Sequence, residues 1–226
     1  MNWRINIFGA RLIHFLVDLP LRVWRLALWL LWIKSPRGKH SFYRWICGLI
    51  LLVWDLTPIA LLYVLIIDII QKKSRPLSAS EKDTARSVFG QVILLQVISL
   101  NPDSRAAKKN KTTAFVSFYT INFFNDLPPY LLIHELVHIW QYQKYGSTYI
   151  SEAIWAQRWG GGYNYGGLEP LRKYNEGKGL ASFNYEQQAD IIEDYFRWKN
   201  GMPLQWVVNV PGVGEVLEKY RSDLET

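Results

Sequence analysis

The sequence predicts an α+β fold, a short sheet with packed helices, joined to a hydrophobic helical region on its N-terminal side. Three observations predict it. Half of the 226 residues are hydrophobic and 34 are aromatic, yet the long apolar runs crowd into the first 70 positions. Charge divides in the same place: residues 1–86 carry 13 Lys/Arg against 5 Asp/Glu, whereas residues 87–226 carry 13 against 14. After a polar, Pro- and Ser-containing linker at 71–80, β-branched runs alternate with stretches of helical periodicity. The expected division is a membrane-associated region at 1–75 and a chemical domain at 76–226.

The formal charge of +7 belongs to the apolar third of the chain. Basic residues flanking hydrophobic segments mark a lipid surface rather than a nucleic-acid groove, so nucleic acid is not an expected partner. Cys47 is the sole cysteine, which excludes an internal disulfide.

Residues 19–33 are apolar except for Arg22 and Arg25. Fifteen residues are too few to cross a bilayer, and three tryptophans beside arginines suit an interfacial helix. No small-residue cleavage site follows, so this is not read as a signal peptide. Residues 45–67 hold one charge, Asp55. As a helix of roughly 35 Å they are long enough to cross the hydrocarbon core. Asp55 and the Thr57-Pro58 step oppose an unbroken span. The alternatives are two shorter helices dipping into one leaflet, or a buried helix of the domain. The expected partner is a lipid bilayer through residues 19–70, and the expected location a bacterial inner membrane. Both flanks of 45–67 are equally basic, so the side holding the chemical domain is not legible.

Beyond the linker, residues 80–89 read as a helix, 92–100 as a strand and 112–124 as a longer strand. Asp126, Pro128 and Pro129 open a helix that Gly146 closes. Residues 147–157 continue as a helix, and 159–167 form a loop rich in Gly and Tyr. Asn184 with Gln187 is a capping-box start for a helix running to about residue 199. A short helix ends the chain.

The helix at 128–145 contains His134-Glu135-Leu136-Val137-His138. Imidazoles four residues apart lie on one helix face and can share a metal ion, while the intervening glutamate can handle a proton beside it. A shuffled chain of this composition produces the pattern roughly 0.3% of the time. A catalytic zinc takes three protein ligands and keeps one position open. Of the remaining histidines, His14 and His40 lie in the hydrophobic region. Glu186, on the helix after Asn184, is the candidate third ligand. Asp190 follows on the same face and can accept the second N–H of a ligating histidine.

His134-Glu135-x-x-His138 with Glu186-Gln187-Gln188-Ala189-Asp190 resembles the gluzincin metallopeptidases, whose pattern is H-E-x-x-H followed by E-x-x-x-D. The stretch from Ala85 to Gly90 through Gln141 resembles a narrower group of gluzincin-like domains found near bacterial contractile injection systems and Rhs-type toxins. The resemblance covers about residues 84–200. It implies a zincin-like fold with one Zn2+ held by His134, His138 and Glu186. It implies Glu135 as general base, Asp190 orienting a histidine, and a peptide or protein as substrate. It also implies a Tyr or His that stabilises the oxyanion; no histidine remains for this, and the candidates are Tyr163, Tyr165 and Arg158. Residues 114–123 would offer a free strand edge to an extended peptide. Two other functions fit the chain. One is a non-catalytic zinc-binding structural or chaperoning module associated with toxin delivery or secretion. The other is a membrane-associated interaction domain without metal.

Overall fold

The computed structural model describes residues 3–31, 41–110, 113–173 and 179–225. In chain order the elements begin with helices α1 (Trp3–Leu31), α2 (Ser41–Asp55) and α3 (Ile59–Ile70), then strand β1 (Arg75–Pro76), helix α4 (Ala79–Phe89), strand β2 (Ser99–Asn101) and helix α5 (Arg105–Asn110). Strands β3 (Ala114–Ser117) and β4 (Thr120–Phe123) follow. The remainder is helical: α6 (Pro129–Tyr145), α7 (Thr148–Trp159), α8 (Leu168–Arg172), α9 (Tyr185–Lys199) and α10 (Val213–Ser222). His40, Thr112 and the end of the 19–33 segment lie outside the described residues.

The chain forms two compact units that interleave along the sequence. One, the sheet unit, comprises Met1–Leu77, Leu94–Asp126 and Gln141–Glu152; the other, the histidine unit, comprises Ser78–Ile93, Leu127–Trp140 and Ala153–Thr226. The first crossing falls near the linker expected from composition, but the chain returns to the sheet unit twice.

In the sheet unit, β1-β2-β4-β3 form a four-stranded sheet in which β1 is antiparallel to β2, β2 parallel to β4, and β3 antiparallel to β4. The long strand expected at 112–124 is a hairpin. Ser117 pairs with Thr120 across a two-residue turn. Phe118 takes a left-handed φ of 56° there, and its N–H donates to the Tyr149 hydroxyl at 3.3 Å. Of the two hairpin strands, β3 lies at an edge of the sheet and β4 is paired on both sides. The strand expected at 92–100 shrinks to β2, preceded by a single 3-10 turn at Leu95–Val97.

The first helix is longer than expected, and the second apolar segment breaks where the Thr57-Pro58 step predicts. The segment at 19–33 is the second half of α1, which continues through Pro20. The inward row of α1 is Ile7, Arg11, Phe15 and Arg22, at helical spacing. Arg11 donates to Asp68 Oδ2 at 2.7 Å, Ser99 Oγ at 2.8 Å and the Val97 carbonyl at 2.8 Å. The 45–67 segment is broken into α2 and α3, which meet at 75°. Pro58 supplies no N–H to continue the ladder, and the Thr57 hydroxyl donates back to the Trp54 carbonyl at 2.7 Å. Asp55 at the break accepts the N–H and hydroxyl of Ser147, and Arg22 donates to its backbone carbonyl. Among the described residues, no single helix is long and apolar enough to cross a membrane.

The histidine unit is helical. Ser78 and Glu81 close a reciprocal capping box that starts α4. Residues 132–140 of α6 are buried without interruption, and they include three ionisable side chains, His134, Glu135 and His138. Past Trp140 the helix belongs to the sheet unit, where Gly146, at a φ of 73°, takes the left-handed position that ends it, its N–H donating to the Tyr142 carbonyl. Helix α10 packs alongside α9, with Leu217 and Tyr220 buried.

Candidate metal centre

Two helices of the histidine unit build the site. Helix α6 brings His134, Glu135 and His138 into the interior, each no more than 6% exposed. Helix α9 is started by Asn184, whose side chain accepts the Gln187 N–H while Gln187 reaches back to the Asn184 N–H. With its start set there, positions 186, 190 and 193 form one stripe at i, i+4 and i+7. Glu186, Asp190 and Glu193 are all buried.

The structure brings His134, His138 and Glu186 together. Glu186 Oε2 lies 3.5 Å from His134 Nε2 and 3.4 Å from His138 Nε2. Ligand bonds of roughly 2.0–2.1 Å at tetrahedral angles put donor atoms about 3.4 Å apart, which both distances from Glu186 match, and one donor atom from each of the three residues lies within 4.8 Å of the others. The second oxygen of Glu186 accepts from Gln157 Nε2 at 2.9 Å, which leaves Oε2 aimed at the histidines.

A second group, His134, Asp190 and Glu193, is also close enough to suggest a metal. Its geometry argues for a different role. Asp190 Oδ1 is 2.8 Å from His134 Nδ1, with Glu193 Oε2 3.3 Å from the same nitrogen. Both contacts have ion-pair distances to the imidazole, although Nδ1 meets neither carboxylate at a hydrogen-bonding angle. The two carboxylates face His134 on its Nδ1 side and leave Nε2 toward Glu186. Each is itself held. Trp206 Nε1 donates to Asp190 Oδ2. Arg197 donates Nε to Glu193 Oε1 at 2.7 Å, with its guanidinium 3.8 Å from the centre of the Tyr130 ring.

Electrostatics follow from burying this much negative charge. Burial opposes the charged form of His134, but Asp190, Glu186 and Glu193 outweigh it and hold the imidazole well above its usual value. His138 is raised as well, where burial is outweighed by Glu186. Burial would raise Glu186, and the two imidazoles outweigh that too, holding it far below the carboxylate range. Glu135 differs. Burial pushes it up against the opposing pull of both histidines. Its Oε2 is buried and has no hydrogen-bond partner. A cluster of three donors around a common point, with an unpartnered carboxylate oxygen beside the ligating turn, suits a cation and a polar molecule next to it.

Of the three stabiliser candidates, the structure brings one toward the donors. Tyr163 lies in the glycine-rich loop, 41% exposed, with its ring centre 6.0 Å from that of His134. Partial burial, then the Glu186 charge, pushes its phenol up to about 12, so it stays a proton donor at neutral pH. Tyr165 is buried and donates to Asp194 Oδ2 at 2.6 Å, a packing role. Arg158 is exposed beside the Trp159 ring. Sequence reasoning missed Glu193, Arg197, Gln157 and Trp206. Glu193 had a signal, since it continues the Glu186 and Asp190 stripe by one turn.

No protein-family profile matches the chain, and no solved structure matches it. The chain is 31% identical over 141 residues to the type VI secretion system spike protein VgrG2b of Pseudomonas aeruginosa. The match covers 56% of this chain and 13% of that much longer protein. The likeness agrees with the association with bacterial injection systems expected from the sequence.

Proposed function

We propose that the histidine unit is a zinc-dependent metallopeptidase of the gluzincin type, in a chain anchored at a membrane and linked to a bacterial secretion system. The observation that carries this reading is the convergence of His134 Nε2 and His138 Nε2 on Glu186 Oε2 at ligand-to-ligand distances, beside the unpartnered oxygen of Glu135. When bound there, zinc would polarise a scissile carbonyl and acidify a water molecule. Glu135 takes the proton as the water oxygen bonds to the carbonyl carbon. It returns that proton to the leaving nitrogen as the C–N bond breaks. Its raised pKa favours this return. Asp190 and Glu193 keep His134 in one orientation throughout. Tyr163 donates its phenolic hydrogen to the developing oxyanion.

The test pairs metal analysis with Glu135→Gln. Purified without chelators, both chains should hold about one zinc each. Hydrolysis of a peptide library should fall by about 10²–10⁴-fold in the variant. A wild-type chain that holds zinc and cleaves nothing would support a second reading, which the likeness to a spike protein favours: a non-catalytic, zinc-stabilised structural module serving the secretion apparatus. A chain without metal would remove both.

A further inference from the structure

Helix α1 is amphipathic with its polarity reversed. Arg11 and Arg22 face inward at 1% and 5% exposure, while Val17, Leu16 and Trp24 face outward at 71%, 58% and 58%. Helices α2 and α3 repeat the pattern. Asp55 and Asp68 are buried at 1% and 2%, and Leu62 and Ile66 are about half open. A helix packed against water does the opposite, sending charge out and apolar side chains in. Charged groups turned inward and paired, under an outer layer of aliphatic side chains, are the mark of segments surrounded by hydrocarbon.

The inward charges are committed within the sheet unit, Arg11 to Asp68 and Arg22 to Asp55. Among the described residues, every large exposed apolar side chain except Ile154, Trp159, Tyr163 and Val208 lies on α1, α2 or α3. Water-facing proteins rarely leave apolar patches beyond a few hundred Å². The chemistry of the patch selects its occupant. Protein interfaces draw their binding energy from Trp, Tyr and Arg more than from Leu and Val. This surface is mainly Leu, Ile and Val, in the stretch of chain whose net charge of +8 complements an anionic leaflet.

We propose that the outward face of α1, α2 and α3 is a lipid-contacting surface that seats the sheet unit in the hydrocarbon of a bilayer. This takes the expected bilayer contact at 19–70 back to the start of α1. It specifies the arrangement that underlies membrane anchoring, and it stands independently of the metal chemistry. Full-length chain carrying Cys47→Ser and one new cysteine (Leu16→Cys, Ile66→Cys or, in α10, Glu215→Cys) is labelled with an environment-sensitive fluorophore. It is then mixed with phosphatidylethanolamine/phosphatidylglycerol vesicles. The chain should float with the vesicles. Labels at positions 16 and 66 should shift to the blue and be quenched by brominated acyl chains, and the label at 215 should do neither. Flotation should survive about 1 M salt, where the Debye length is roughly 3 Å. Combining Leu16→Glu with Ile66→Glu should cut the floating fraction at least about tenfold, with circular dichroism and metal content unchanged because both positions already face outward. Three results overturn the proposal: no flotation; flotation abolished by salt; or fluorescence shifts that need no vesicles and grow with protein concentration, which would make the face a protein interface. Flotation by a chain that holds no metal would keep this inference while removing the peptidase reading.

Discussion

Helices α1 and α9 both bury charge, in different proportions. In α1 the buried charges are arginines, each met by an aspartate of the same unit. In α9 they are four carboxylates, Glu186, Asp190, Glu193 and Asp194. Arg197 holds Glu193, Tyr165 and backbone N–H groups hold Asp194, and Trp206 holds one oxygen of Asp190. What remains, together with Glu135, faces two imidazoles. The first arrangement is balanced and holds the fold together. The second carries an excess of negative charge, which in the metal-free protein raises the proton affinity of both histidines and which a bound cation would meet instead. Buried charge signals a ligand where it is unbalanced, and architecture where it is paired.

The sharpest way to break this contrast is to remove a donor from the unbalanced side. His138→Ala should reduce the metal content from about one per chain to background, with hydrolysis lost and vesicle flotation unchanged. Metal retained in that variant would place the ion elsewhere. On the balanced side, Arg11→Met should destabilise the fold by about 3–5 kcal/mol in denaturant unfolding, because Asp68 stays buried without its partner. Adding Asp68→Leu should recover most of that loss, which separates the cost of an orphaned charge from the worth of the pair.

A smaller effect is expected from Glu193→Gln, about 10–100-fold in metal affinity, since it removes one of the two negative charges that face His134 Nδ1. In the same titration, pH supplies the sign. Protons compete with the metal for the two imidazoles, whose values are raised in the metal-free protein. Affinity should therefore fall as pH drops through that raised range, beginning above the usual histidine value, with protons released on binding. Wild-type affinity independent of pH would contradict the charge excess. Smallest is Asn184→Ala. Loss of the cap should cost about 1 kcal/mol of unfolding free energy. It also frees the loop before α8, because Asn184 Nδ2 donates to the carbonyls of Gly160 and Gly162.

These two helices also show what local sequence can reveal. The α9 start was legible because a capping box is a four-residue signal, and the stripe at 186 and 190 was legible because its period is that of a helix. The reversed face of α1 was not. Arg22 looks like the flank of an interfacial segment until its partner is known, and Asp55 lies 33 residues away in the chain. Arg11 and Asp68 are 57 residues apart. The sheet failed for the same reason. A β-branched run at 92–100 carries strand propensity along its length, yet only Ser99–Asn101 finds partners, and pairing is set by distant chain.

The spacing of the three donors has one more consequence. Between His138 and Glu186 lie 47 residues, and this chain's lone cysteine denies it a disulfide. An ion gripping both helices would act as a cross-link, closing that loop in the native state and removing open conformations from competition. Chelation would then do to this protein what reduction does to a secreted one, loosening α9 from α6 before the rest unfolds.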